Sequence, residues 1–515
     1  MPDLLPPGPL AVLPSGRRWP LHGVAASRAI EHTALAGAPP HALMEFAGLS
    51  VARLAMAVAP MAGSVWVAAG PGNNGGDGLV AARWLRQWGR HVQVSQLTAP
   101  AALPADAGWA LLQAQQAGVA IHQGLPGQPE QRAGDLAIDA LLGLGARRPP
   151  QGALAEAIAL LNAGAASVLA VDMPSGLHAD TGALLGQQAV QATHTLSLLT
   201  LKLGLFTAQA RDHAGRVWFD ALGQTVTASH LPQAWLAGPP QRRQRRHDQH
   251  KGSFGDLLVV GGAVGMAGAA LLAARAALAA GAGRVYLVRL DGAAAEADGL
   301  SPELMSRRLD QVLLPELLAQ ATVVCGCGGG QAVRQPLPAL LHHAARLVLD
   351  ADALNALAAD PALRQALRAR SRAGLATVLT PHPLEAARLL ACGVAQVQAD
   401  RLRAAQTLAD DLGSTVLLKG SGTVVCHSGR PPCINPTGNA RLGSAGSGDV
   451  LAGWIGGSWS ATDQADGLEA AVGSAWLHGR AAEVDAAAQR AGLPLCASAL
   501  IPAMVHAAAL LSNLG

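Results

Sequence analysis

The sequence predicts an α/β protein of two three-layer αβα domains, and three observations carry the prediction. Short β-branched apolar runs alternate with longer Ala/Leu-rich stretches along the chain. That alternation belongs to mostly parallel sheets covered by helices on both faces. The 515 residues, half of them apolar, exceed what one ordinary core accommodates. A polar, proline-bearing run then breaks the alternation near its middle. The domains are placed at 1–235 and 249–515, with 236–248 as a linker.

In chain order, the strands of the first domain are expected at 65–69, 92–97, 136–139, 168–172, 195–199 and 217–220. Those of the second are expected at 257–260, 284–288, 322–325, 347–350, 377–380, 415–418 and 424–427. Aromatics are scarce (one Tyr, four Phe, ten Trp) while Ala and Gly abound, so the cores must rely on close approach of elements. In the linker, Arg242, Arg243, Arg245 and Arg246 lack interleaved aromatics and read as a solvated edge.

A net charge of +3 on this length gives no global pull toward nucleic acid or an anionic membrane. Apolar stretches break before roughly 18 residues, so no transmembrane helix is expected. The Pro-rich start, 1–20, lacks the form of a secretory signal. Six scattered cysteines suit a reducing cytoplasm rather than a disulfide scaffold. Cys325 and Cys327 lack the further soft ligands of a metal site and read as small residues of a glycine-rich turn. A homo-oligomer is compatible with the sequence, which does not specify one.

In the first domain, Gly70-Pro-Gly-Asn-Asn-Gly-Gly-Asp-Gly78 lies between the strand at 65–69 and a helical stretch at 79–88. Strand, glycine loop and helix form the phosphate-binding arrangement of Rossmann-like, doubly wound folds. The run is neither G-x-G-x-x-G nor a P-loop. Later strands end in Asp139-Ala-Leu-Leu-Gly143 and Asp172-Met-Pro-Ser-Gly176. Ligands of open parallel sheets collect at carboxyl ends of strands, so the three loops are expected at one crevice. Asn74, Asp139 and Ser175 there offer hard oxygen donors to a cation.

In the second domain, Gly261–Gly268 leads into a helix at 269–280, and Thr380-Pro-His-Pro383, Lys419-Gly-Ser-Gly-Thr423 and Gly446-Ser-Gly-Asp449 close further loops. The last ends an eleven-residue run from Asn439 holding three glycines and two serines, followed by apolar 450–455. Such a loop sits at the N-terminus of a buried helix, where backbone N–H groups favour negative charge. A lone carboxylate there would repel phosphate and makes sense as a general base or acid beside an anion hole. His382, clamped by two prolines, suits a positioned polar contact.

The first-domain motifs resemble the NAD(P)H-hydrate epimerases over about 20–225, with Leu43–Gly48 fitting that family's leading helix and Thr200–Leu205 its late strand and loop. The resemblance implies that Asn73, Asn74, Gly75, Gly76, Asp77, Gly143, Leu144, Gly145, Ala146, Arg147, Arg148 and Pro149 bind the dinucleotide hydrate. It implies that Asn74, Asp139 and Ser175 hold K+ and that Asp172 meets the hydrated ring catalytically. The second domain resembles the ribokinase-like fold and, within it, the ADP- or ATP-dependent NAD(P)H-hydrate dehydratases. His250–Gly255, Leu349–Asn355 and Asn435–Asn439 join the loops above in carrying that resemblance, over about 245–510. By position Lys419, Gly420, Ser421, Gly422, Thr423 and Gly448 would bind the adenine nucleotide, with Mg2+ accompanying it. Ala269, Gly328, His382 and Asp449 would bind the hydrate, with Asp449 as general acid/base. Two departures stand out: Leu384 replaces the Gly of His-Pro-Gly-Glu, and Gly326-Cys-Gly-Gly-Gly330 replaces Gly-Pro-Gly-Leu-Gly.

The expectation is a cytoplasmic bifunctional enzyme, at once isomerase and lyase, that epimerises R- and S-NAD(P)HX and dehydrates the S form at the expense of nucleotide. Its partners are NADHX or NADPHX and an adenine nucleotide, without nucleic acid or membrane. Two rivals are a ribokinase-like vitamin or sugar kinase and a non-catalytic scaffold role for the first domain.

Overall fold

The structure, a computed structural model, describes residues 8–13, 16–125, 133–164, 166–224, 231–241, 245–292, 301–462, 466–487 and 493–511. Arg242, Arg243 and parts of the Pro-rich start lie outside these described residues. The chain divides into one unit of 1–15 and 19–234 and a second of 16–18 and 235–515.

The first unit is built on an eight-stranded sheet. Its order is Leu10–Ala11, Arg216–Asp220, His194–Leu198, Ser167–Val171, Leu136–Ala140, Ser64–Ala69, His91–Gln96 and Ala120–Gln123. All neighbours are parallel except the first pair. Alternate residues of Ser64–Ala69 enter different cores, as strand geometry requires. Val65, Val67 and Ala69 pack with the helices Ala42–Val58, Asn73–Gln87 and Ala105–Gln116. Trp66 and Ala68 pack with the helix Ala153–Ala163. The buried Trp66 indole donates to Ser95 Oγ at 2.9 Å, so its polar edge is satisfied.

One boundary differs from expectation. Asn73–Gly78 is not a loop; the helix starts at Asn73. The glycines let this turn sink onto the sheet: a Cβ on Gly76 would stand 2.6 Å from Met44 Cε, and one on Gly78 2.5 Å from Ala140 Cβ. Close packing outweighs the low helix propensity of glycine here.

The second unit carries strands in the order Met305–Ser306, Arg284–Arg289, Asp256–Gly261, Thr322–Cys325, Arg346–Leu349, Ala376–Leu379, Thr415–Leu418, Val424–His427 and Arg430–Ile434. The first seven run parallel, and the last two join as antiparallel hairpins. Leu257 and Val259 enter one core, Leu258 and Val260 the other, giving the three-layer sandwich. The helix Ser447–Ser460 lies against the helix Ala267–Ala279 with almost no spacing. A Cβ on Gly453 would stand 2.0 Å from the Ala273 carbonyl oxygen, and one on Gly457 2.2 Å from that of Ala277. Gly456 faces the sheet, 2.4 Å from Val324 Cγ2 by the same construction. The scarcity of aromatics is thus matched by backbone-to-backbone packing.

The expected linker is partly structure. Leu236 and Ala237 are buried, and Leu236 pairs with Ile434. Arg245 is not merely solvated: its guanidinium lies 3.9 Å from the Phe254 ring centroid and donates to the Gly281 carbonyl at 3.0 Å. No helix among the described residues is long and apolar enough to cross a membrane.

Candidate active sites

In the first unit the register aligns the strand ends, with Ala69 opposite Ala140 and Asp139 opposite Ala170. The loops that follow therefore open into one cavity of about 490 Å³. Asn73, Asn74, Asp77, Gly143, Leu144, Gly145, Ala146 and Asp172 line it. Gly75 and Gly76 are buried in helix packing, and Arg147, Arg148 and Pro149 follow on the exposed side of their loop. Asp139 and Ser175 lie behind the wall, both fully buried. Ser175 donates its amide and its hydroxyl to the two Asp139 oxygens at 2.8 and 2.6 Å. Burial pushes the Asp139 carboxyl up to about 6, against these bonds. Gly143 sits against Asn74, whose Oδ1 would be 3.2 Å from a Cβ there.

Asp172 adopts a left-handed backbone (φ 67°), which a short polar side chain tolerates best. Its carboxylate accepts Leu144 and Leu198 N–H at 3.3 Å each and forms a buried ion pair with Lys202. Lys202 also donates to the Leu198 carbonyl at 2.6 Å. Asp172 is therefore held by an ion pair as well as by backbone donors. Lys202, which lies within the run Thr200–Leu205, is its fixed partner 30 residues away. Glu31 also lines the cavity. Burial first, then the Asp172 and Glu31 carboxylates, holds the Asp77 carboxyl well above its usual range.

In the second unit the expected loops meet. Ala269 and Gly328 are neighbours: a Cβ on Gly328 (φ 57°) would stand 2.9 Å from Ala269 Cβ. Cys327 Sγ and carboxylate oxygens of Asp350 and Asp449 lie within 4.8 Å of one another. Asp350 accepts from Lys419 Nζ at 2.7 Å and from Thr380 Oγ1 at 2.8 Å. Gly448 faces the same ammonium, 3.3 Å from a constructed Cβ.

Two expectations change, and Lys419 gains a partner. Asp449 is no lone carboxylate. Burial and then Asp350 raise it to about 6, opposed by the nearby Cys327 thiol and by Lys419. Asp449 also stands within the first turn of the helix Ser447–Ser460, whose N-terminus no side chain caps. Lys419, expected to meet the nucleotide, is already paired with Asp350. Burial disfavours its charge, but Asp350 and Glu385 outweigh that and raise its pKa. Cys327 is more than a small turn residue. Its thiol reaches the acidic cluster, whereas Cys325 enters the core on the opposite face, so the pair cannot bind one ion together.

His382 caps the helix Pro383–Leu390: Nδ1 accepts from Leu384 and Glu385 N–H at 3.1 and 3.4 Å. Nε2 lies 3.2 Å from Glu385 Oε1. Burial, then Lys419, lowers the His382 pKa, while burial raises Glu385 to about 7. Leu384 occupies the second helical position with ordinary negative φ, so its side chain meets no backbone conflict. Behind the segment Lys419–Thr423, the buried Arg401 holds the Leu418 and Lys419 carbonyls at 3.1 and 3.0 Å.

Over residues 257–502 the chain matches the family model described as NAD(P)H-hydrate dehydratase, and over 40–204 that described as YjeF-related protein N-terminus. It is 38% identical to the bifunctional NAD(P)H-hydrate repair enzyme of Escherichia coli (strain K12), over 86% of this chain and 85% of that one. It is 37% identical to the enzyme of the same description from Leishmania major, over 81% and 80%. Among solved structures, the ADP/ATP-dependent NAD(P)H-hydrate dehydratase of Bacillus subtilis, co-crystallised with ATP/Mg2+, is 26% identical. It covers 52% of this chain and 93% of that one, with a TM-score of 0.43. With family matches in both units and relatives similar along most of its length, the chain belongs to the bifunctional NAD(P)H-hydrate repair enzymes.

Proposed function

We propose that 1–235 carries the epimerase and 249–515 the nucleotide-dependent dehydratase. The observation that carries this reading is the Asp449 carboxylate, poised at about 6 in the uncapped first turn of a buried helix beside the Asp350–Lys419 pair. A base near neutrality next to outward-pointing amides suits phosphoryl transfer.

In the dehydratase, Asp449 takes the C6 hydroxyl proton as that oxygen attacks the terminal phosphoryl of ADP or ATP, and the shortened nucleotide leaves. The C6–O bond then breaks with phosphate taking the electron pair, C5 loses a proton, and the C5=C6 bond of NADH or NADPH forms. Lys419, Gly420, Ser421, Gly422, Thr423 and Gly448 hold the nucleotide, while Ala269, Gly328 and His382 position the hydrate. Magnesium accompanying the nucleotide would offset its phosphate charge. The Cys327, Asp350 and Asp449 trio does not suit it, because a thiol is a soft ligand and Lys419 already supplies positive charge there.

In the epimerase, Asn73, Asn74, Asp77, Gly143, Leu144, Gly145 and Ala146 hold the dinucleotide hydrate. Asp172 takes and returns the hydroxyl proton while the C6–N1 bond opens and recloses on the other face, N1 gaining and losing a proton. Asn74, Asp139 and Ser175 suit potassium: each offers a hard oxygen, and a cation would favour the ionised form of the fully buried Asp139 carboxyl, which burial raises. The ion would supply positive charge near the dinucleotide phosphates.

The test offers epimer-mixed NADHX to the purified protein with ADP, with ATP and with neither, following recovery of NADH absorbance. Nucleotide-dependent recovery with release of orthophosphate is expected. A stable phosphorylated hydrate as end product would favour the kinase rival, and no recovery would sink the reading.

A further inference from the structure

Cys327 lies in the glycine-rich turn Gly326–Gly330 that follows the strand Thr322–Cys325. The backbone holds it firmly. Gly262 donates to its carbonyl at 3.0 Å and Ala263 to that of Gly328 at 2.7 Å. Gly326 before it (φ 119°) sits where a Cβ would stand 1.9 Å from the Asp350 carbonyl oxygen. The side chain is 1% exposed, and its only acidic neighbours among the described residues are the carboxylates of Asp350 and Asp449.

We propose that Cys327 is a positioning residue for the dehydration: its thiol donates a hydrogen bond to Asp449, orienting that carboxylate so that one oxygen stays available for the C6 hydroxyl proton. The inference rests on Asp449 being the base, as argued above.

Three considerations support it. Lys419 and Thr380 both donate to Asp350 Oδ1 and so anchor that carboxylate, whereas the Asp449 carboxylate, within 4.8 Å of the thiol, has no such pair of donors among the described residues. The thiol stays protonated: burial, then Asp449 and Asp350, keep it well above its usual range. It is therefore a donor and not a nucleophile, and it keeps its proton through the reaction. A donor to a carboxylate also favours the ionised form. The other groups acting on Asp449 are Asp350 and Asp352, which oppose ionisation, and Lys419, which favours it. His478, behind the helix start, accepts no charge there, since burial lowers it to about 4.

The experiment compares parent, Cys327→Ala, Cys327→Ser and Asp449→Asn in nucleotide-dependent dehydration of S-NADHX across pH 5 to 9, with thermal melting of each. The parent's acidic limb is expected at about 6. Cys327→Ala should move that limb to higher pH and lower the plateau kcat, with KM for the hydrate unchanged. Cys327→Ser, which restores a donor, should return the limb to the parental position or below. If Cys327→Ala fails to fold, the serine variant still decides: an upward shift there overturns the proposal. An unchanged limb in Cys327→Ala, with Asp449→Asn inactive, overturns the role of Cys327 alone. Near-normal turnover in Asp449→Asn would instead overturn the assignment of the base.

Discussion

Replacing Lys202 by Met should expose what the buried pair in the first unit contributes. The lysine side chain is 1% exposed and that of Asp172 9%. Without the ammonium, Asp172 keeps only two backbone N–H bonds, both long at 3.3 Å. Removing one partner of a buried ion pair costs about 3–5 kcal/mol, because the other charge is left unpaired. For a unit of this size, each kcal/mol shifts Tm by about 2–4 °C. The melting transition of the first unit should therefore fall by roughly 6–20 °C in Lys202→Met. Adding Asp172→Asn removes the stranded charge and should recover most of that loss. Asn is chosen because it tolerates the left-handed backbone at 172, where Ala would add strain. Calorimetry of the full chain gives the transition, and hydrogen exchange in Ser167–Val171 and His194–Leu198 localises it. Epimerisation should stay low in both variants, so stability and activity part company in the double variant. A parental melt in Lys202→Met, or a double variant no more stable than the single one, would refute the reasoning.

Further outcomes follow from the same geometry. Asp449→Asn should lower dehydratase turnover about 10²–10⁴-fold while nucleotide binding, measured by calorimetric titration, persists. In the parent, turnover should fall as pH drops through about 6, because Asp449 accepts a proton only when ionised; a flat profile down to pH 5 would contradict that role. Asp172→Asn should stop epimerisation yet leave the S epimer consumable, so an R/S mixture stalls after its S fraction in short time courses. His382→Ala should raise KM for the hydrate more than it lowers kcat, and an equal fall in kcat would point to a catalytic contact.

Internal strands were legible because their β-branched runs carry the signal themselves; Thr322–Cys325, Thr415–Leu418 and Val424–His427 match to the residue. Others were not. The edge strands Leu10–Ala11 and Met305–Ser306 are too short for any periodicity, and Pro431 and Pro432 hide the strand Arg430–Ile434. The run Asn73–Gly78 read as a loop because glycine lowers helix propensity, whereas its contacts with Met44 and Ala140 reverse that choice. Loops at strand ends marked the site regions, since parallel topology sends them to one side. The pairs within the sites stayed hidden. Lys202 meets Asp172 across 30 residues and Lys419 meets Asp350 across 69, separations that no local pattern encodes.

The glycine seam between Ser447–Ser460 and Ala267–Ala279 has a mechanical consequence. With Gly453 and Gly457 pressed on the Ala273 and Ala277 carbonyls, neither helix can slide or roll without colliding with the other's backbone. The Asp449 turn begins one of these helices and the segment bearing Ala269 begins the other. They behave as one stiff bracket, so the spacing between the base and that wall of the cleft is set at folding. Adjustment to an arriving ligand has to come from parts outside the bracket, such as Lys419–Thr423 or the turn at His382. A bulkier residue at 453 would spread the two arms and misplace the base without touching a single group that meets substrate.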